Sequence, residues 1–78
     1  RVWLLNDDFT PMDFVVEILC TIFDKAPGIA ENITMRVHRS GRAVAGIYSF
    51  DIAHSKAEKA MRRAREEQFP LRLEVTED

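Results

Sequence analysis

The sequence is poor in the residues that build disulfides, metal centres and nucleic-acid surfaces. Its one cysteine, Cys20, cannot form an internal disulfide, and no CxxC or Cys/His cluster typical of a zinc site is present. Lys and Arg number 11 against 13 Asp and Glu, so the net charge is −2 and the excess of positive charge expected of a phosphate-backbone binder is missing. We therefore expect no nucleic acid as partner, and no metal or cofactor.

Long apolar runs are also lacking. No run approaches the roughly 20 residues that a membrane-spanning helix needs, and the sequence lacks the pattern of a secretory signal. With 78 residues, 46% of them hydrophobic and 31% charged, the composition is that of an ordinary globular chain with room for a single core. We expect one soluble, cytosolic domain over residues 1–78 that does not bind membranes.

Apolar periodicity predicts a strand and a helix at the start of the chain. Val2–Leu5 is a continuous apolar run typical of a strand that is central in a sheet or buried on both faces. Thr10 is a good N-cap, with Pro11 suited to the first helical position and Asp13 three residues after the cap. The helix should then run to about Asp24.

Turn residues delimit the remaining elements. After the break at Pro27-Gly28 a shorter helix should end near residues 38–39, because Gly41 stands where a left-handed C-terminal glycine is typical. Residues 42–50 predict a strand with a bulge or a close contact at Gly46. Asp51 should open a helix from 52 to about 68, and residues 71–75 alternate like a half-exposed strand. This order predicts an α+β fold: a two-layer sandwich of a three-stranded, mainly antiparallel sheet covered by three helices, β-α-α-β-α-β.

The segment Asn6-Asp7-Asp8 carries more polarity than a turn between a strand and a helix requires. Its side chains could simply form hydrogen bonds with the backbone of the turn. The carboxylates could also interact with the positive end of the helix dipole, which stabilises a helix by about 0.3 to 1 kcal/mol per charged side chain. Alternatively, two carboxylates and an amide could bind a cation with several N–H donors, such as a peptide α-amino group. His38, in the last turn of the second helix, could be a satisfied helix-end histidine or a further acceptor for the same ammonium.

An enzyme built on Asp7, Asp8 and His38 is a weaker interpretation. Adjacent residues in an extended segment point to opposite sides, so the two carboxylates do not readily converge on one ion, and no nucleophile stands beside the histidine. His54 has no recognisable partner, and Cys20 is expected to be a small buried hydrophobic residue. The basic residues of the third helix are interleaved with glutamates, which favours a solvated or protein-docking face over an RNA surface.

Taken together, the segments "LLNDDFTPMDFVVEIL", "VHRSGRAVAGIYSFDIA" and "PLRLEV" resemble successive parts of the ClpS adaptor family. That family delivers N-degron substrates to the Clp AAA+ protease. The resemblance extends along essentially the whole chain, and NDDxTPM followed by VHxxG is a specific combination. It implies a non-enzymatic, monomeric adaptor of the bacterial cytoplasm, or of the plastid in a eukaryote.

The same resemblance implies a pocket for the first residue of a polypeptide. Asn6, Asp7 and His38 would bind the free α-amino group and first peptide unit, while Asp8 and Thr10 would shape the binding loop. The apolar wall for a first Leu, Phe, Tyr or Trp would comprise Met12, Val15, Val37 and Leu71.

Thr34 departs from the family pattern, which commonly has Met at this place in the pocket wall. Threonine is smaller, so the pocket should be roomier there, and the usual exclusion of β-branched first residues should be relaxed. We therefore expect a changed first-residue preference rather than lost binding.

The resemblance also implies a second binding surface. Asp51, Ser55 and Lys56 correspond to family positions that dock on the N-terminal domain of the Clp ATPase. Delivery in the family also uses a flexible N-terminal extension. This sequence starts one residue before the first predicted strand and does not include that extension. The resemblance therefore predicts degron binding by these residues, with delivery depending on the extension.

Two further alternatives remain open at this point. One is a metal-dependent hydrolase built on Asp7, Asp8 and His38. The other is a small interaction domain that resembles the C-terminal domain of the ribosomal stalk protein, with the charged third helix as its partner surface.

Overall fold

The chain folds into a sheet and three helices that form two layers. The structure, a computed structural model, describes residues 1–77. Its elements are β1 (Val2–Leu5), α1 (Met12–Thr21), α2 (Pro27–Ser40), β2 (Arg42–Gly46), α3 (Phe50–Glu66) and β3 (Arg72–Val75). The sheet order is β2-β1-β3, with both pairings antiparallel, which confirms the predicted sandwich. No helix within this part of the chain is long and apolar enough to cross a membrane.

Strand β1 is central, as its apolar run predicts. Val2 and Leu4 are fully buried, whereas Trp3 and Leu5 are only half-buried, because alternate side chains point to opposite faces of the sheet. The buried face packs on apolar residues from all three helices, including Ile18, Val37 and Ala60 in one core. Because β1 lies in the middle of the sheet, the loop that follows it emerges between its two neighbours.

The predicted start and end of α1 are wrong. The N-cap residue is Pro11, with extended backbone and no side-chain cap, so Thr10 does not cap the helix. The Thr10 hydroxyl instead donates to Asp7 in the preceding loop. At its other end the helix stops at Thr21, and Asp24 adopts a left-handed φ of 57°, a conformation that cannot continue a right-handed helix.

Helix α2 begins earlier than predicted but ends close to where Gly41 indicates. Pro27 occupies the first turn of the helix rather than breaking the chain before it, since proline at this position has no N–H bond to lose. Gly41 has a φ of 90°, and its N–H donates to the Val37 carbonyl at 2.9 Å, which confirms the left-handed C-terminal glycine.

Strand β2 is shorter than the predicted 42–50 strand. It ends at Gly46, which pairs with Val2 across a register shift, so the expected irregularity lies next to this glycine. The close contact is also present, because a Cβ at Gly46 would lie 2.5 Å from the ring of Tyr48. The chain therefore turns over the glycine and leads directly into α3, whose N-cap is Ser49 rather than Asp51.

Candidate functional site

A cavity of about 320 Å³ lies beside the loop between β1 and α1. All ten residues proposed from sequence for N-degron binding line it: Asn6, Asp7, Asp8, Thr10, Met12, Val15, Thr34, Val37, His38 and Leu71. They belong to the loop, to α1, to α2 and to the residue that precedes β3. The fold thus brings together residues that are up to 65 positions apart, from Asn6 to Leu71.

The start of the loop is attached to the end of α2. The Asn6 N–H donates to the Gly41 carbonyl at 2.9 Å. His38 lies one turn before this glycine and is exposed. The hydrogen bond therefore fixes the polar loop against the helix end that carries the histidine, as the sequence interpretation requires.

Asp7 organises the loop from within. Its Oδ1 accepts hydrogen bonds from the N–H groups of Phe9 and Thr10, at 2.8 and 2.7 Å, and its Oδ2 accepts one from the Thr10 hydroxyl at 2.8 Å. This is the turn-satisfying arrangement that Asx side chains favour. Each carboxylate oxygen can accept about two hydrogen bonds, so Oδ2 retains a free acceptor site.

Asp8 was expected to shape the binding loop, but the hydrogen bonds within the loop give it no such role. In the described loop Phe9 and Thr10 donate these bonds and Asp7 accepts all three, and none of them involves Asp8, whose side chain is exposed. Asp8 therefore contributes an exposed negative charge to the rim of the cavity.

The opposite wall of the cavity is apolar. Val15, Val37 and Leu71 are buried, and Met12 is 41% exposed at the edge. Thr34 is also buried, and its hydroxyl donates to the Ala30 carbonyl of its own helix at 2.8 Å. Since the single hydroxyl hydrogen is used in this bond, Thr34 offers a ligand no donor. A polar rim facing an apolar wall suits a ligand with an ammonium group at one end and an apolar side chain beside it.

A second groove, of about 410 Å³, lies between the end of α1 and the start of α3. It is lined by Asp51, Ser55 and Lys56, the three residues proposed from sequence for docking on the ATPase. Five further residues complete the lining: Thr21, Ile22, Asp24, Ile52 and Lys59.

Lys56 is engaged within the protein. Its Nζ donates to the Ile22 carbonyl at 2.6 Å, lies 3.6 Å from the Asp24 carboxylate and stands 5.1 Å from the centre of the Tyr48 ring. A cation here satisfies a carbonyl at the C-terminus of α1, where positive charge is favourable. Burial, together with the negative charge of Asp24, raises the pKa of Tyr48.

Sequence reasoning missed several lining residues. Leu4, Leu5, Phe9 and Pro11 also line the cavity next to the loop. These four residues could have been identified from their proximity in sequence to Asn6-Asp7-Asp8. Ile52 and Lys59 of the groove could have been found from their helical spacing with Ser55 and Lys56 on α3.

The remaining candidate groups show no clustering. Within residues 1–77 no three His, Cys, Asp or Glu side chains are placed to hold a metal ion. His54 is exposed and contacts the edge of Phe50, with ring centres 4.4 Å apart. Cys20 is only half-buried, against the expectation of full burial, because it packs at the margin of the core.

A family model and individual known proteins both match this chain, and they name the same family. Residues 1–74 match the family described as "ATP-dependent Clp protease adaptor protein ClpS". The ATP-dependent Clp protease adapter protein ClpS of Treponema denticola is 49% identical over 75 residues, covering 96% of this chain and 74% of that protein. The protein of the same name from Maricaulis maris is 44% identical over 78 residues, covering 100% of this chain and 72% of its own length.

The fold has a close counterpart among solved structures. Agrobacterium tumefaciens ClpS2, solved with bound L-phenylalaninamide, superposes with a TM-score of 0.92 at 38% sequence identity. The match covers 95% of this chain and 89% of that one. The ligand in that structure combines a free α-amino group with an apolar aromatic side chain.

Proposed function

The chain belongs to the family of ATP-dependent Clp protease adaptor proteins, ClpS, and on that premise we propose that it is a non-enzymatic adaptor for N-degron substrates. It binds the free α-amino group and bulky apolar first residue of a polypeptide and presents it to the Clp AAA+ protease. The observation that carries this proposal is that one cavity is lined both by the polar residues Asn6, Asp7 and His38 and by buried apolar residues of two helices and Leu71. Binding of L-phenylalaninamide by a structurally similar ClpS2 supports it.

The chemistry of the two walls accounts for the expected selectivity. The ammonium group is charged at neutral pH, and each charge-assisted hydrogen bond contributes about 1.5 to 3 kcal/mol. Burying a Leu or Phe side chain contributes roughly 1.5 to 3 kcal/mol more. Because the two contributions come from different parts of the ligand, the adaptor discriminates against a blocked N-terminus and against a small or polar first residue.

The groove between α1 and α3 is the proposed docking surface for the N-terminal domain of the Clp ATPase, through Asp51, Ser55 and Lys56. The cavity contains Met12 and Val15 from the start of α1, whereas the groove contains Thr21 from its end. Thr21 is nine positions after Met12, which corresponds to about 13.5 Å along the helix axis at 1.5 Å per residue. A monomer could therefore hold a degron and the ATPase at the same time.

Binding of one peptide in two forms tests the proposal. We expect a labelled peptide with a free N-terminal Leu to bind, and the same peptide with an acetylated Leu to lose measurable binding, because acetylation removes the charge and donors together. A peptide with a free N-terminal Ser controls for the apolar wall. Equal anisotropy titrations for the free and acetylated Leu peptides would refute the proposed function.

A further inference from the structure

Phe9 is the most exposed large hydrophobic residue among those described. It is 79% exposed, compared with 41% for Met12 across the same cavity. Phe9 lies between the two carboxylates of the loop and the start of α1 and is one of the residues that line the cavity. It does not belong to the hydrophobic core, so packing within the protein does not account for a phenylalanine at this position.

The backbone at Phe9 is held in place. Its N–H donates to Asp7 Oδ1 at 2.8 Å, and the next residue, Thr10, makes two more bonds to the same carboxylate. The aromatic residue is therefore carried on an ordered loop rather than on a mobile one. An exposed aromatic side chain that an ordered backbone carries at the rim of a binding cavity is suited to contact whatever extends out of that cavity.

We infer that Phe9 is a specificity-determining residue for the part of the substrate that directly follows the first residue. This inference rests on the proposed function. With the first side chain in the cavity and the ammonium group at the rim, the peptide must leave across the rim, and successive residues are only about 3.8 Å apart. The second or third side chain then lies within reach of Phe9, which favours an apolar or aromatic residue there over a polar one.

Three peptides with a free N-terminus, beginning Leu-Ser-Ser, Leu-Phe-Ser and Leu-Ser-Phe, test this inference. They carry no charged side chain at the varied positions, because exposed Asp8 beside Phe9 would add an electrostatic effect. We expect at least one Phe-containing peptide to bind about threefold to tenfold more tightly than Leu-Ser-Ser, the range typical of an aromatic pair. Phe9→Ala should abolish this gain, so that the variant binds all three peptides with similar affinity.

Phe50→Ala is the matched control, since Phe50 is 54% exposed and does not line the cavity. This variant should keep the full gain. The inference is overturned if neither Phe-containing peptide gains affinity, if the gain survives in Phe9→Ala, or if that variant weakens all three peptides equally. Loss of dependence on the free N-terminus would instead contradict the proposed function, so the two failures are distinguishable.

Discussion

At the scale of single residues, Asp7 combines two tasks. It accepts three hydrogen bonds from its own loop and, in the proposed function, also binds the substrate ammonium. The two interpretations of Asn6-Asp7-Asp8 are therefore compatible, because the loop bonds hold the carboxylate at the cavity before a ligand arrives. Such preorganisation lowers the entropy that is lost on binding.

Asp7→Asn separates the two tasks. The asparagine Oδ1 can still accept from the two backbone N–H groups, and its Nδ2 can donate to the Thr10 hydroxyl oxygen in place of the native bond from that hydroxyl. The negative charge is gone, so we expect degron binding to weaken by roughly 1.5 to 3 kcal/mol with little change in Tm. Unchanged affinity of Asp7→Asn for a peptide with a free N-terminal Leu, measured by anisotropy, would show that the carboxylate serves only the loop.

His38→Ala should weaken binding of the same peptide by a similar amount without loss of stability, because His38 is exposed.

We propose that Thr34 sets the width of the first-residue pocket. We expect the protein to bind peptides that begin with Val or Ile in addition to Leu. Thr34→Met should abolish binding of the peptides with β-branched first residues and keep binding of Leu peptides, because methionine fills more of the cavity. Thr34→Val is the matched control. It should keep the broad preference, since the hydroxyl that it lacks bonds to Ala30 and not to the cavity. A peptide array limited to Leu, Phe, Tyr and Trp for the unmodified protein would contradict this expectation.

At the scale of elements, the end of α1 is stabilised by a side chain from α3. Lys56 donates to the Ile22 carbonyl and also lies near Asp24 and the Tyr48 ring. This role differs from the docking role proposed from sequence, although one side chain can serve both. The two helices that form the groove are thereby held together at the groove itself.

Lys56→Met tests the structural role of this lysine. Methionine keeps a long apolar stem but cannot donate, so we expect a loss of about 1 to 2 kcal/mol of stability and a Tm lower by roughly 5 to 15 °C. Lys59→Met, on the same groove but exposed, should leave Tm unchanged. If Lys56→Met abolished ATPase binding at an unchanged Tm in thermal denaturation, Lys56 would be a docking residue without a structural role.

At the scale of the whole molecule, the cavity depends on the complete fold. Its walls come from β1, the β1–α1 loop, α1, α2 and Leu71, so they are assembled only when the sheet and helices have packed. A ligand of this cavity should therefore bind the native state and not the unfolded chain. Such binding increases the free energy of unfolding in proportion to the logarithm of ligand concentration.

L-phenylalaninamide provides a direct measurement of this coupling. At a hundredfold excess over its Kd it should stabilise the fold by about 2.7 kcal/mol and raise Tm by roughly 10 to 20 °C. N-acetyl-L-phenylalaninamide at the same concentration is the control and should leave Tm unchanged. Equal shifts for both compounds in differential scanning fluorimetry would mean that the ammonium site does not contribute.

Local sequence patterns predicted which helices and strands are present more accurately than where each one begins and ends. Gly41 correctly marks the end of α2, because a left-handed C-terminal residue is a local requirement. Thr10 was wrongly assigned as the α1 cap, since its hydroxyl had a competing acceptor in Asp7 that the capping pattern alone does not reveal. Residue chemistry suggested the four polar members Asn6, Asp7, Asp8 and His38. The other six cavity residues came from family resemblance, and spacing along the chain could not have grouped them.

The sequence alone determined the order of strands and helices and the family. These follow from periodicity, turn residues and motif, which are properties of neighbouring residues. Only the tertiary structure decided that Asp7 holds its loop, that the Thr34 hydroxyl is already bonded, that Lys56 caps α1 and that Phe9 stays exposed at the rim. The reason is physical: a hydrogen-bond partner or a solvent exposure depends on which groups compete in three dimensions, and the order of residues does not specify that competition.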